Sequence, residues 1–275
     1  MNQKAIKMSL ITDMEPMITL DPEVLLALPA SLVLEPHTVH VWAFTLDGSA
    51  ALTEACRDVL SPAERQRADR FVFEHDRVHH TVAHGVLRHL LSRYCGVAPD
   101  SLRFKTTASG KPSLQAPEQT LAQAGAGAPS SSLQFNLTHS DDRALLGVSD
   151  GRELGIDLER VRSNLEALDI SRHYFFGAER EAIENALSVM RDRTFFRYWV
   201  AKEAVLKAQG VGLGFPLDRF CIHFHPDGDT AHIETLDPAV LERDWTVRML
   251  PCEADWAAAV AARGSDWLVK VEGGA

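Results

Sequence analysis

Val200-Ala201-Lys202-Glu203-Ala204-Val205-Leu206-Lys207-Ala208-Gln209-Gly210-Val211 decides the fold, because a looser copy of it stands earlier in the chain. That copy is Val82-Ala83-His84-Gly85-Val86-Leu87-Arg88-His89-Leu90-Leu91-Ser92-Arg93-Tyr94-Cys95-Gly96-Val97. Val82, Val86, Leu87, Leu90 and Leu91 recur at helical spacing, which predicts a helix from His79 to Tyr94 ended by Gly96. The flanking segments repeat in the same order. Ser61-Pro62-Ala63-Glu64-Arg65 and Phe176-Gly177-Ala178-Glu179-Arg180 each open a helix; in the first, Ser61 is the N-cap, Pro62 the first helical residue, and Glu64 lies three beyond the cap. The strand beginning at Leu102 is matched by one from Leu217, and the strand around Arg143–Val148 by one from Asp255. Two repeats cannot make a solenoid. The order predicts an α+β fold, a pseudo-dimer of two similar α+β lobes with a shared cleft, where ligands are favoured. The expected divisions are an extension over 1–36, a first lobe over 37–153 and a second over 154–275.

Working outward, Val39–Leu46 alternates as a strand, and Phe135–Thr138, Ala144–Val148 and Leu154–Glu159 read as three more, the last after an Asp150-Gly151 turn. Ser109-Gly110-Lys111-Pro112 is a turn and 116–132, rich in Ala, Gly, Ser and Pro, a flexible loop. The four prolines Pro16, Pro22, Pro29 and Pro36 give the extension no period, so it is expected to pack on the surface or stay partly mobile. The 275 residues are 45% hydrophobic and 24% charged, ordinary values for a globular chain with a core. A net charge of −10 excludes general attraction to DNA and requires locally grouped cations for any phosphate ligand. Cys56, Cys95, Cys221 and Cys252 form no CxxC and read as free thiols of a reducing compartment. With no long apolar run and no secretory pattern, a cytoplasmic protein is expected.

Three short segments carry the chemistry. In Gly155-Ile156-Asp157-Leu158-Glu159, alternation puts Asp157 and Glu159 on one strand face. Two neighbouring carboxylates repel unless a cation lies between them, and Mg²⁺ suits such a pair plus ligand phosphates; the bland alternative is a solvated strand face. In Trp199-Val200-Ala201-Lys202-Glu203-Ala204-Val205-Leu206-Lys207, Trp199, Glu203 and Lys207 share a helix face with Lys202 at its edge. An i,i+4 pair on a solvated helix is the bland reading, but the Trp on the same stripe favours a third metal ligand beside a phosphate clamp. Thr138-His139-Ser140 adds hydroxyls and an imidazole at a strand end, and Gly110-Lys111-Pro112 a lysine at a stiff turn.

Together, GKP, FN-x-[ST]-HS, GID-x-E and W-x-x-KEA-x-x-K, in that order, resemble the 4′-phosphopantetheinyl transferases, in their longer two-lobed class. Ser61–Phe71 also resembles that family, and the likeness spans roughly residues 37 to 225. The resemblance implies a Mg²⁺-dependent enzyme that moves phosphopantetheine from coenzyme A to a serine of an apo acyl or peptidyl carrier protein and releases 3′,5′-ADP. It implies Asp157, Glu159 and Glu203 as metal ligands, and Lys207 and Lys202 as stabilisers of the leaving group. Glu203 becomes the acceptor of the serine proton. Lys111 and Pro112 would meet the adenine nucleotide, Thr138 and His139 the phosphates, and Arg65 and Arg67 the 3′-phosphate. From Arg57 to Arg93 there are seven arginines against five acids, a local positive excess. Fatty-acid, polyketide and nonribosomal-peptide carriers remain open as partners, and two lobes in one chain point to a monomer.

The chain departs from the family pattern at three places. Thr138 stands for the usual serine, Glu64 for a frequent basic residue, and His79 for a frequent arginine, with Arg77 nearby. His79 is charged only when protonated, so coenzyme A affinity is expected to be weaker, more pH-sensitive, or carried by Arg77. His80 and His84 have zinc-like i,i+4 spacing but no third ligand. Gly210–Gly214 follows a helix and reads as a stop. Glu179, Arg180 and Glu181 read as a solvated helix start, and Phe175-Phe176 and Phe195-Phe196 as core or the wall of a partner groove. Rival readings are a carrier-binding homologue with impaired catalysis and a metal-dependent pyrophosphate hydrolase.

Overall fold

Both repeated runs become the longest helices of the molecule in a computed structural model that describes residues 16–17, 19–107, 110–115, 133–163, 166–212, 214–239, 241–242 and 244–272. Helix α4 (Glu74–Cys95) and helix α7 (Ser188–Gln209) each span 22 residues, and each ends on a left-handed glycine, Gly96 (φ 65°) and Gly210 (φ 70°). Only glycine takes that conformation without a Cβ penalty. Each is preceded by a short helix whose third residue is the repeated glutamate: α3 (Pro62–Ala68) and α6 (Gly177–Asn185). α3 shows the expected capping box between Ser61 and Glu64. Three further helices are α1 (Pro22–Leu26), α2 (Ala50–Asp58) and α5 (Ala167–Tyr174).

The first sheet has the order β11-β1-β5-β4, with β1 (Thr38–Thr45), β4 (Leu133–Ser140), β5 (Arg143–Asp150) and β11 (Leu268–Glu272). The second has the order β6-β10-β9-β8-β7, with β6 (Leu154–Arg160), β7 (Phe220–Phe224), β8 (Thr230–Thr235), β9 (Trp245–Met249) and β10 (Trp256–Arg263). β2 (Phe104–Thr106) and β3 (Pro112–Leu114) pair around the Gly110-Lys111 turn. α4 covers one face of the first sheet through Trp42, Phe44, Ala144, Leu146 and Val148. α7 covers one face of the second through Ala257, Ala259 and Ala261, whose small side chains let the helix lie close. The other two faces meet in a third core: Val39, Val41, Ala43 and Leu145 from the first sheet against Ile156, Leu158, Ala258 and Val260 from the second. The α+β pseudo-dimer is present.

Two findings change the lobe description. β11, from the segment expected to belong to the second lobe, crosses back and pairs parallel with β1, Thr38 opposite Leu268. The extension is not a surface appendage over its described part. Leu25 is fully buried in the first-lobe core, and Arg93 grips the carbonyls of Leu26 (2.7 Å) and Pro29 (3.1 Å). Its leucines anchor it although its prolines deny it a period. Residues 1–15, the 116–132 loop, Ser109 and Leu213 lie outside the described residues.

Candidate active site

The glycine of the GID-x-E motif is where the site begins. A Cβ on Gly155 would lie 2.2 Å from both the Ala204 carbonyl oxygen and the Ala208 nitrogen, so α7 rests directly on the β6 backbone there. Gly155, Asp157 and Glu159 share the α7 side of β6, while Ile156 and Leu158 enter the inter-sheet core. The close approach brings Asp157 under Lys207, whose ammonium donates to Asp157 Oδ1 and, at 3.0 Å, to Thr138 Oγ1. Thr138 donates to the same carboxylate oxygen at 3.2 Å. Asp157 Oδ2 is buried with no partner.

The FN-x-T-H-S run explains itself in this setting. β4 and β6 belong to different sheets, yet alternate residues of β4 bond to β6. Asn136 Oδ1 accepts from the Ile156 N–H at 2.9 Å. Ser140 Oγ donates to Glu159 Oε2 at 2.9 Å and accepts from the Arg160 N–H at 3.3 Å. With Thr138 between them, these polar groups stitch the lobes together beside the carboxylates. Each is buried and each is satisfied, as burial demands. His139, of opposite parity on the strand, is exposed.

Electrostatics mark the cluster as strained toward neutrality. Burial pushes the Glu203 carboxyl up to about 7, helped by the negative charge of Asp157 and, more weakly, of Glu159, while Lys207 opposes it. Burial likewise raises Asp157 against the pull of Lys207. Glu159 is raised by burial and by Asp157. Three oxygen-donor side chains that resist carrying their charges, one with an orphaned buried oxygen, are the chemistry a hard cation relieves. The residues therefore fit a Mg²⁺ ion. Among the described residues, however, no three His, Cys, Asp or Glu side chains already stand at ion-holding distance of one another, and Lys207 occupies Asp157 Oδ1.

Lys202 is a correction. Its side chain is fully buried on the other side of α7, with its ammonium 2.9 Å from Glu179 Oε2 and bonded to the carbonyls of Leu217 (2.8 Å) and Phe220 (2.6 Å). Burial pushes Lys202 down and Glu179 up, and their mutual attraction pulls both back. Neighbours in a helix sequence point about 100° apart, which is why Lys202 turns into the core while Glu203 faces β6. Glu179 is accordingly no solvated helix start: it is fully buried and also accepts from the N–H groups of Phe176 (3.0 Å) and Ile222 (2.8 Å). Its repeat partner Glu64 does the same work in the first lobe, capping α3 and bonding the buried Arg88 at 2.8 Å. The repeated A-E-R was the signal for both; sequence reasoning used it to place two helix starts and did not read from it that both glutamates turn inward.

Lys111 is also turned inward. Its ammonium donates to the carbonyls of Ala208 (2.7 Å) and Leu154 (2.9 Å), and burial lowers it to about 8. It ties the Gly110–Pro112 turn to the ends of α7 and β6, leaving its backbone rather than its amine for a ligand. Thr138 is 6% exposed and committed inside the cluster. On the first-lobe side, partial desolvation of the exposed His139 ring and then the charges of Lys207 and His79 lower it. Arg67 and His139 both act on His80. Arg77 pairs with Glu74 at 2.5 Å, His79 with Asp47 at 3.0 Å, and Arg65 donates its Nε–H to the Leu60 carbonyl at 3.0 Å. Phe175, Phe195 and Phe196 are core. A separate cavity of about 660 Å³ lies at the other end of β4, lined by Glu35, Ser149, Arg152 and Arg263. Its arginines are already paired, with Asp266, Glu153 and Glu242.

Comparison with known proteins places the chain in a family. Residues 153–261 match the 4′-phosphopantetheinyl transferase superfamily model, and residues 48–150 match the model for the N-terminal part of a 4′-phosphopantetheinyl transferase. The chain is 34% identical over 242 residues to the 4′-phosphopantetheinyl transferase HetI of a Nostoc species, covering 88% of this chain and 94% of that one. It is 29% identical over 173 residues to the 4′-phosphopantetheinyl transferase Sfp of Bacillus subtilis, covering 62% and 70%. It is 28% identical over 240 residues to a phosphopantetheinyl transferase of a Thraustochytrium species, covering 82% and 79%. No helix of the described residues is long and apolar enough to cross a membrane. The chain belongs to the 4′-phosphopantetheinyl transferase superfamily, in its longer two-domain type.

Proposed function

We propose that this protein transfers the 4′-phosphopantetheine of coenzyme A to a serine hydroxyl of an apo carrier protein, with release of 3′,5′-ADP. The observation that carries the reading is the convergence of Asp157, Glu159, Glu203 and Lys207 at the lobe junction, with one buried carboxylate oxygen left without a partner. Asp157, Glu159 and Glu203 would hold a Mg²⁺ ion, which supplies neutralisation of the pyrophosphate oxygens when bound. Glu203, poised near neutrality, accepts the serine proton directly or through water. Lys207, at 31% exposure, swings from Asp157 toward the charge that grows on the departing phosphate. Because Lys202 is locked to Glu179, this second role falls to Lys207 alone. Arg67 and Arg77 offer positive charge, and His139 and His79 hydrogen bonds, for the remaining phosphates, with Arg65 further along α3 toward the 3′-phosphate. The Gly110–Pro112 turn meets the nucleotide through its backbone.

The protein acts as a cytoplasmic monomer on acyl or peptidyl carrier domains. Incubation with coenzyme A, Mg²⁺ and a panel of apo carriers, read by intact mass, tests this. One phosphopantetheine added to at least one carrier is expected. Release of 3′,5′-ADP without a carrier would instead favour a pyrophosphate hydrolase.

A further inference from the structure

A second concentration of metal-binding side chains lies on the edge of the second sheet, on strands that contribute none of the carboxylates. β7 and β8 form an edge hairpin in which His223 stands directly opposite His232. Their rings stack with centroids 5.2 Å apart and planes at 22°. His225 is two residues beyond His223, so it shares the same side of the ribbon, and its ring centroid lies 5.1 Å from that of His232. Three imidazoles thus crowd one face of a two-stranded edge. Glu234 Oε2 holds His223 Nε2 at 2.9 Å.

We infer that the β7–β8 hairpin binds one divalent transition-metal ion of the zinc class through His223, His225 and His232. Imidazole suits zinc, nickel and copper rather than magnesium, and three imidazoles plus solvent make a sufficient tetrahedral set. The Glu234–His223 contact is the arrangement that ligating histidines use: a carboxylate fixes one ring nitrogen and presents the other to the metal. Here that leaves His223 Nδ1 for the ion. The side chains do not yet enclose an ion. His225 and His232 are exposed and His223 is half-buried, so their rings have room to turn toward a shared ion. The backbone beneath is fixed by the continuous register from Phe220–Thr235 to Phe224–Ala231. An ion there would clamp the last two strands of the second sheet and stabilise that lobe by mass action.

The test uses the full-length protein stripped of metal and titrated with ZnCl₂ by calorimetry. One Zn²⁺ per chain is expected for wild type and equally for Asp157→Ala, which separates this site from the carboxylate cluster. At least tenfold weaker binding is expected for His232→Ala and for His225→Ala. His80→Ala controls for the other close histidine pair and should bind as wild type. Since His225 and His232 are exposed, far-ultraviolet circular dichroism of those two variants should show the fold intact, and the same spectrum is the control for the buried His80 and Asp157 substitutions. Imidazole ¹⁵N resonances of three histidines should shift on Zn²⁺ addition. No Zn²⁺ binding by wild type, binding unchanged in His232→Ala, or binding lost in His80→Ala would each overturn the site.

Discussion

Glu203 and Asp157 are buried at the lobe junction and resist ionisation, so each should be sensitive to a change that leaves its volume intact. Glu203→Gln keeps the shape and removes the proton acceptor. It should cut transfer by at least about a hundredfold, the usual size of a general-base contribution, with an unchanged urea midpoint; a rate within threefold of wild type would remove Glu203 from the site. These residues were legible because strand alternation and the four-residue helix step put them on facing surfaces. Lys202 was misread for a reason the sequence cannot reveal: which of two adjacent helix residues faces the core depends on what packs there, in this case Glu179, Leu217 and Phe220. The histidines of α4 give a pH prediction at the same scale. Burial pushes His84 and His89 down to about 4 from an ordinary 6.5. Their folded pKa values lie below the unfolded ones, so the unfolded chain binds protons that the folded chain refuses between those limits. Stability is then lost as pH falls from 6.5 toward 4, by at most roughly 1.4 kcal/mol per pH unit for each group. Urea midpoints should decline over that window, and His89→Leu should flatten the decline. An unchanged slope would contradict the assignment.

α7 is the element on which the site is built, and two contacts fix its rotation and depth. On one side the buried Lys202–Glu179 pair locks its azimuth. Removing one partner of a buried pair leaves an uncompensated charge, so Lys202→Met should cost about 3–5 kcal/mol, whereas Glu179→Gln with Lys202→Met should recover much of the loss. Chemical unfolding of the two variants measures this, and Lys202→Met as stable as wild type would mean that the pair does not hold the helix. On the other side Gly155 sets the depth. Gly155→Ala forces a methyl into the Ala204 and Ala208 backbone, an overpacking cost of about 1–3 kcal/mol, and lifts Glu203 and Lys207 from Asp157. Transfer should fall more than the stability loss explains. The element pattern was readable at its stops, Gly96 and Gly210, but not at its starts: α4 and α7 begin without a side-chain cap, and α4 opens at Glu74, not at the expected His79. The inter-sheet stitch by Asn136, Thr138 and Ser140 was not, because its partners on β6 are some twenty residues away.

At the scale of the whole molecule the two lobes are not independent. Their sheets share a core, and the C-terminal strand β11 completes the first sheet. His40 bonds to Tyr94 of α4 at 2.9 Å and pairs with Glu272 of β11 at 3.0 Å, while Glu35 of the extension closes the other side of its ring. The repeat announced two lobes but not this crossing, which rests on pairing between residues more than two hundred positions apart. Residues 1–153 expressed alone should therefore fail to give a cooperative thermal transition, exposing the apolar face of Val39, Val41, Ala43 and Leu145. A sharply melting fragment would show that the lobe folds by itself. The central claim is that Asp157, Glu159 and Glu203 cage a cation against the diphosphate of coenzyme A. The most direct measurement is intact mass of an apo carrier after incubation with wild type or Asp157→Ala, coenzyme A and graded Mg²⁺. Wild type should add one phosphopantetheine in proportion to Mg²⁺, and Asp157→Ala none. Transfer by Asp157→Ala at the wild-type rate, or by wild type in the presence of EDTA, would contradict the account.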